Sequence, residues 1–151
     1  MAKKHMVWKK GRGKLGVMTP LIGSWRAVSD SPRGLVTCTR TFTPILGGAY
    51  IQLDAEWKFA KGSYRELAIY GLDEDRLVSF TSFTSDGKRS HGRLADVSDI
   101  HPQALGFEAE MPAGLARMAY WPDETEGLRW AVEAKTKKGW KRFSEHHYIG
   151  K

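Results

Sequence analysis

Regular alternation of apolar and polar side chains is the feature that most restricts the fold of this chain. It is clearest over residues 49–59, where the apolar row is Ala49, Ile51, Leu53, Ala55, Trp57 and Phe59. Because successive side chains of a β-strand point to opposite faces, this pattern predicts a strand with one buried and one solvated face. Residues 104–111 and 127–135 repeat it, which is typical of antiparallel sheets that have water on one side.

Turn signals separate the alternating segments. Asp86-Gly87 and Lys138-Gly139 indicate tight hairpins, since glycine tolerates the positive φ that such turns require. We predict ten strands, over residues 23–30, 35–43, 49–60, 63–71, 76–84, 88–97, 104–111, 114–121, 127–136 and 139–149. An open sheet of this kind would leave exposed edges, so the predicted fold class is all-β, a single closed antiparallel barrel of about ten strands. Such a barrel can enclose one small ligand or be filled by its own side chains.

Composition limits the remaining possibilities. At 151 residues the chain has the size of one domain, and Cys38 is its single cysteine, which excludes an internal disulfide and favours a buried, inert thiol. The sequence has no apolar run long enough for a membrane span or a signal peptide. We therefore expect no membrane association and a cytoplasmic location.

The net charge of +7 comes from the N-terminal region. Residues 1–29 hold seven basic and no acidic side chains, whereas residues 30–151 hold 17 of each. A neutral body offers no extended surface to a phosphate backbone, so nucleic acid is not an expected partner. We interpret residues 1–16 as a flexible basic N-terminal arm and residues 17–151 as the barrel domain.

A Gly-x-Trp motif, Gly23-Ser24-Trp25, stands at the start of the first predicted strand. In an all-β chain it resembles the opening of the calycin superfamily, which includes lipocalins, fatty-acid-binding proteins and nitrobindin-type haem barrels. The likeness spans about residues 20 to 150 and is closest to a group of bacterial barrels without established chemistry, which share a Gly-Gly turn, here Gly47-Gly48, and a Gly-x-Asp turn, here Gly71-Leu72-Asp73. The resemblance implies that Trp25 closes one end of the barrel and that Arg142, from the last strand, covers it through a cation–π contact.

A barrel interior that contains both apolar and basic side chains could hold a small hydrophobic molecule with an anionic head group, because a buried cation requires a partner. The candidate ligand-binding residues are Trp57, His91, Arg93, Met118, Tyr120, Trp130, His146 and Tyr148. Arg40 joins them only if its row in residues 35–43 faces inward, and the opposing row of threonines leaves that facing open. If Trp140 and Arg142 face inward, alternation brings His146 and Tyr148 inward as well.

These residues favour a non-enzymatic binding module, and we predict no catalytic residue and no metal site. His146 and His147 would point to opposite faces and so could not share a metal ion. One alternative function is a haem-binding or redox barrel with His146 as the axial ligand, as the resemblance to nitrobindin-type barrels implies. The other is a filled structural barrel whose basic arm binds a polyanion. A homodimer is compatible with all three of these functions.

Overall fold

The computed structural model describes residues 7–151, which form ten β-strands and two short 3₁₀ helices. The 3₁₀ helices are Gly16–Leu21 and Leu46–Gly48. The strands are β1 (Gly23–Ser31), β2 (Gly34–Ile45), β3 (Tyr50–Lys58), β4 (Ser63–Leu72), β5 (Val78–Thr84), β6 (Arg89–Ala95), β7 (Leu105–Met111), β8 (Gly114–Pro122), β9 (Leu128–Thr136) and β10 (Gly139–Gly150). None of the helices in the described part of the chain has the length and apolar character needed to cross a membrane.

Each strand pairs antiparallel with the next one in sequence, and β10 returns to pair with β1, which closes the barrel. The predicted fold class is therefore confirmed. The closing register joins Trp25 to Gly150 and Arg26 to Ile149, so two residue pairs define this seam. By comparison, β3 and β4 are joined by eight residue pairs, from Ile51 and Tyr70 to Lys58 and Ser63.

The inner face of the barrel carries the apolar rows. In β2 the inward row contains Val36, Cys38, Arg40 and Phe42, all of which are buried, while the threonines between them point outward. The register explains this facing, since Phe42 lies beside Leu53 and Cys38 beside Trp57 on the inner wall. The facing of residues 35–43, which alternation left open, is settled with Arg40 inside.

One end of the barrel is closed by the 3₁₀ helix Gly16–Leu21, whose Met18 and Leu21 are completely buried. The Trp25 indole Nε1 donates a hydrogen bond to the Leu21 carbonyl oxygen at 2.8 Å and so ties this helix to β1. Trp8 and Leu15 also pack against the core. Residues 1–6 of the predicted arm lie outside the described residues, and the division into an arm and a barrel stays a prediction.

The structure corrects the predicted contact between Arg142 and Trp25. Trp25 lies opposite Gly150, and Arg142 precedes Gly150 by eight residues on the same strand, which separates the two side chains by roughly 26 Å. The Arg142 guanidinium instead lies 5.3 Å from the ring centroid of Trp121. A register shift between Arg142 and Ser144 makes Phe143 an extra residue in β10, so Arg142 faces outward although His146 and Tyr148 face inward.

Candidate functional site

The open end of the barrel contains a cavity of about 410 Å³. Its mouth lies at the hairpins that join β5 to β6, β7 to β8 and β9 to β10, opposite the end closed by Gly16–Leu21. Lys88, Arg89 and Lys135 stand at the mouth, and Phe143 borders it from the β10 bulge. The interior wall behind this rim is largely apolar and includes Phe80, Phe107, Met118 and Val132.

Three small side chains create the space near the mouth. Ala109, Ala116 and Ala134 occupy neighbouring positions on β7, β8 and β9 and all face the cavity. One tier deeper the same strands carry Phe107, Met118 and Val132 side by side. Because small residues at the mouth give way to larger ones inside, the barrel is open at one end and filled towards the other.

A third tier forms a polar and aromatic layer below the cavity. Tyr120, Trp130 and His146 are neighbours across β8, β9 and β10. The His146 ring centroid lies 5.1 Å from that of Trp130 and 6.0 Å from that of Tyr148. Tyr120 and Tyr148 are completely buried, so this layer combines close packing with hydroxyl, indole and imidazole groups.

Arg40 is the charged residue at the centre of this layer, with only 1% of its surface exposed. Its Nη2 donates to the Tyr120 hydroxyl at 2.7 Å and lies 3.7 Å from Glu66 Oε1. The register places Arg40 and Glu66 on either side of Ala55, whose small side chain leaves room for the two to approach. The Ser82 hydroxyl donates to Glu66 Oε2 at 2.5 Å. Glu66 thus connects the buried cation with the cavity wall, of which it is a part.

Several polar atoms around Arg40 have no hydrogen-bond partner among the described residues. They are Arg40 Nε and Nη1, Trp130 Nε1, His146 Nδ1 and the Tyr148 hydroxyl. The guanidinium carbon lies 5.0 Å from the ring centroid of Trp130, 5.6 Å from that of Tyr120 and 5.7 Å from that of Trp57. These rings stabilise the positive charge, but they supply no acceptor for the hydrogens on Arg40 Nε and Nη1.

Burial determines the protonation of the neighbouring groups. It raises the pKa of the Tyr120 and Tyr148 hydroxyls, which therefore stay protonated and able to donate. Burial also raises the pKa of the Cys38 thiol to about 11, so this group is neutral and unreactive. For His146, burial and the positive charge of Arg40 both lower the pKa, which keeps the imidazole neutral at pH 7.

Six of the eight candidate ligand-binding residues face the interior of the barrel. Trp57 and Met118 belong to the cavity wall, and Tyr120, Trp130, His146 and Tyr148 form the layer beneath it. Among these, the register brings Tyr120, Trp130 and His146 into direct contact with one another or with Arg40.

The structure corrects the interior placement of His91 and Arg93, which lie on the outer face of β6. His91 is exposed, and Arg93 forms ion pairs with the loop residues Asp73 and Asp75. The inward position between them belongs to Gly92, where an added Cβ would come within 2.4 Å of the Phe80 ring. The bulk of Phe80 therefore requires a glycine on the inner face, which sends both neighbouring side chains outward.

Glu66 and the three cavity alanines were not among the residues singled out in the sequence. Glu66 lies on the same inward row of β4 as Ala68 and Tyr70. Its even spacing from these two residues could have indicated that its side chain faces the interior. No comparable signal marks the alanines, because their role depends on lying side by side across three strands.

His146 is poorly suited to bind haem in this geometry. Its ring packs against Trp130 and Tyr148 in the layer below the cavity and is not part of the cavity wall. The haem function stays a prediction without support from these contacts.

Comparison with protein-family models gives no match to this chain, and comparison with curated proteins gives none either.

Proposed function

We propose that this protein is a non-enzymatic binding module that holds a small hydrophobic molecule inside its barrel. The observation that carries the proposal is the cavity of about 410 Å³ at the open end. This volume lies within the range of roughly 300–1,000 Å³ that is usual for small-molecule sites. An anionic head group is compatible with the site, since Arg40 lies in the layer beneath the cavity.

The apolar wall supplies the driving force in this proposal. Met118 and Val132, which are only partly buried, would lose contact with water when a ligand enters, and each Å² of apolar surface removed from water contributes about 25 cal/mol. The strand framework holds these side chains in place before binding, which lowers the entropic cost of association.

We also propose membership of the calycin superfamily. Ten antiparallel strands in sequential order, a closed end with a 3₁₀ helix and the Trp25–Leu21 hydrogen bond at that end support this assignment. The assignment is consistent with a container function but does not identify a ligand.

Filling the cavity tests the binding proposal. Titration with the uncharged fluorophore Nile red should give saturable binding to the wild-type protein, and Ala116→Trp should weaken it at least tenfold, because the new ring occupies the space beside Ala109 and Ala134. The matched control is Leu67→Trp on the outer face of β4, which should bind as wild type does. Circular dichroism would verify that both variants fold. Equal binding by both variants would place the dye outside the barrel and contradict the proposal.

A further inference from the structure

Charge is segregated along the axis of the barrel. Because the strands alternate in direction, the connections β1–β2, β3–β4, β5–β6, β7–β8 and β9–β10 all lie at the open end, and they contain five basic side chains and one acidic one. The four connections at the closed end contain eight acidic side chains and one basic one. The basic residues of the open end are Arg33, Lys61, Lys88, Lys137 and Lys138, and the acidic residues of the closed end are Asp73, Glu74, Asp75, Asp96, Asp99, Asp123, Glu124 and Glu126. The charge balance of the barrel therefore conceals a positive surface at the mouth.

The cations of these open-end connections are accessible to a partner. All five are exposed, and among the described residues only Lys88 has a carboxylate within 4 Å, which is Asp86 at 3.9 Å. Lys58, Arg89 and Lys135, at the adjoining strand ends, are also exposed and extend the positive surface around the mouth. A polyanion that neutralises several such charges at once gains free energy from the counterions that it releases.

Aromatic rings lie beside these cations. The Arg33 guanidinium carbon lies 4.1 Å from the ring centroid of Phe59, and that of Arg89 lies 6.0 Å from the ring centroid of Phe83. Phe83 is 43% exposed, and Phe143 at the mouth is 64% exposed. Proteins bind single-stranded nucleic acids with this combination, because the phosphates contact the cations while unpaired bases stack on the rings. A duplex keeps its bases stacked on one another and offers none to the rings.

The N-terminal region does not offer an equally favourable surface. The Trp8 backbone N–H donates to Gln103 Oε1 at 2.7 Å, and Gln103 belongs to the β6–β7 connection at the closed end. Lys9 and Lys10, which follow Trp8, are therefore at the same end of the barrel as the eight acidic side chains. The negative field of those carboxylates opposes the approach of a polyanion.

An anionic membrane surface would match the charge of the open end but not its pattern of apolar side chains. Interfacial binding requires apolar side chains at the points that enter the lipid. The tips of the five connections carry none that is large, and they are Pro32-Arg33, Ala60-Lys61, Asp86-Gly87, Pro112-Ala113 and Lys137-Lys138. Phe83 and Phe143 belong to strands and lie below these tips. The pattern favours a flexible polyanion over a bilayer.

We propose that the open end of the barrel binds single-stranded nucleic acid, with phosphates against the cations of the connections and bases stacked on Phe83 and Phe143. This inference goes beyond the proposed function, because it concerns the rim and does not require an occupied cavity. Each phosphate neutralised on a single strand contributes about −0.7 to the slope of log K against log salt. Three or more contacts therefore give a slope of about −2 or steeper.

Fluorescence anisotropy of a fluorescein-labelled oligo(dT) dodecamer tests the inference from about 50 to about 200 mM NaCl. We expect saturable binding with the slope given above, and binding about tenfold or more weaker to a duplex of the same length, because stacking on the rings is lost. Absence of binding at the lowest salt, or a duplex that binds as tightly as the single strand, would reject the inference. Retention of the protein on phosphatidylglycerol vesicles in the presence of excess oligo(dT) would identify a membrane as the partner and also reject it.

Matched charge reversals locate the surface. Lys137→Glu combined with Lys138→Glu should weaken binding at least about tenfold at low salt and make the slope shallower. Lys9→Glu combined with Lys10→Glu changes the net charge equally at the closed end and should leave the affinity within about twofold of the wild type. Equal losses would mean that net charge alone decides binding, and a larger loss in the second pair would place the surface on the N-terminal arm. Either result would overturn the inference.

Two further variants separate stacking and the cavity from charge. Phe83→Leu should weaken binding about fivefold or more without changing the salt slope, and unchanged affinity would contradict stacking on this ring. Ala116→Trp, which fills the cavity, should bind oligo(dT) as the wild type does, and loss of binding would show that the rim and the cavity are not independent. Circular dichroism would verify folding, and Lys61→Glu repeats the charge test on another connection if the Lys137 and Lys138 variant unfolds.

Discussion

Arg40 shows how the setting of one residue decides its role. A guanidinium in an apolar core is costly unless other groups compensate its charge, and here three aromatic rings, one hydroxyl and a loosely placed carboxylate do so. The sequence allowed this residue to face either way. In β2 a row of threonines alternates with the row that contains Arg40, and either row could have formed the inner face. The pairings of Phe42 with Leu53 and of Cys38 with Trp57 settle the choice.

His146 predicts how stability depends on pH. Its pKa is lowered in the folded protein, so the unfolded chain takes up the proton more readily, and stability should fall as the pH drops below about 6.5, the unperturbed value. Urea unfolding at pH 5 and pH 8 would measure this, and His146→Phe should reduce the difference. The exposed His91 provides the control, since His91→Gln should leave the pH dependence unchanged. An identical pH dependence in His146→Phe would show that other groups cause it.

Cys38 gives a second prediction at this scale. Because burial raises the pKa of its thiol to about 11, iodoacetamide at pH 8 should not modify the native protein within the time that fully modifies it in urea. Mass spectrometry of the intact protein reads out the modification directly. Rapid labelling under native conditions would show that the barrel opens on that timescale.

At the scale of the strands, the alternation of apolar and polar residues was the main basis for predicting where the strands lie and which side chains face inward. All ten strands were predicted with boundaries within about two residues, because turn signals separate them and most have one apolar and one wet face. Alternation fails where a strand is irregular. The expectation that Trp140 and Arg142 share the inner face with His146 and Tyr148 was wrong for the first two, because Phe143 adds one residue to β10 between Arg142 and His146. His91 and Arg93 were misplaced for a different reason, because a glycine gives no indication of which face it occupies.

The bulge at Phe143 is required for the outer face of β10. Deleting Phe143 would send Trp140 and Arg142 inward or shift the hairpin, so we expect the free energy of unfolding to fall by more than about 2 kcal/mol. Phe143→Ala keeps the residue count and removes a ring that is 64% exposed, and it should cost less than about 1 kcal/mol. Chemical denaturation of the two variants would separate the contribution of the backbone register to stability from that of the Phe143 side chain.

An ion-pair network links the outer faces of β8, β9 and β10. Glu133 is buried and accepts from Arg117 through Oε1 and from Arg142 through Oε2, and Asp99 also binds Arg117. Removing the shared carboxylate with Glu133→Gln leaves both guanidinium groups short of an acceptor and should lower stability by about 2–4 kcal/mol. Glu145→Gln, at a more exposed member of the network, should change it by less than about 1 kcal/mol. Equal effects would mean that burial does not decide the strength of these pairs.

For the whole molecule, the sequence was sufficient for the architecture and insufficient for the site. Closure followed from the number of strands and from the cost of exposed edges. The cavity did not, because it arises from Ala109, Ala116 and Ala134 meeting across strands that are far apart in sequence. Tertiary register, which local patterns do not encode, decides whether a barrel is hollow.

The strength of pairing also varies around the barrel. The β1–β10 seam has two residue pairs and the β3–β4 interface has eight, so amide hydrogens in β1 and β10 should exchange with solvent faster than those in β3 and β4. Hydrogen–deuterium exchange with peptide-level mass spectrometry would show the contrast. Uniform protection across these four strands would mean that side-chain packing stabilises the β1–β10 interface more than its backbone pairing does.

The barrel closes between the strand that is synthesised first, β1, and the strand that is synthesised last, β10. Closure is therefore the last step in the formation of the wall. On the ribosome the pairs β1–β2 to β8–β9 can form as they emerge, but the wall remains open until β10 has been synthesised. Tyr148, which packs against Trp130 in the polar and aromatic layer below the cavity, belongs to that last strand. A nascent chain would therefore pass through most of its translation with its inner surface exposed, and the cavity would form only in a final, concerted step.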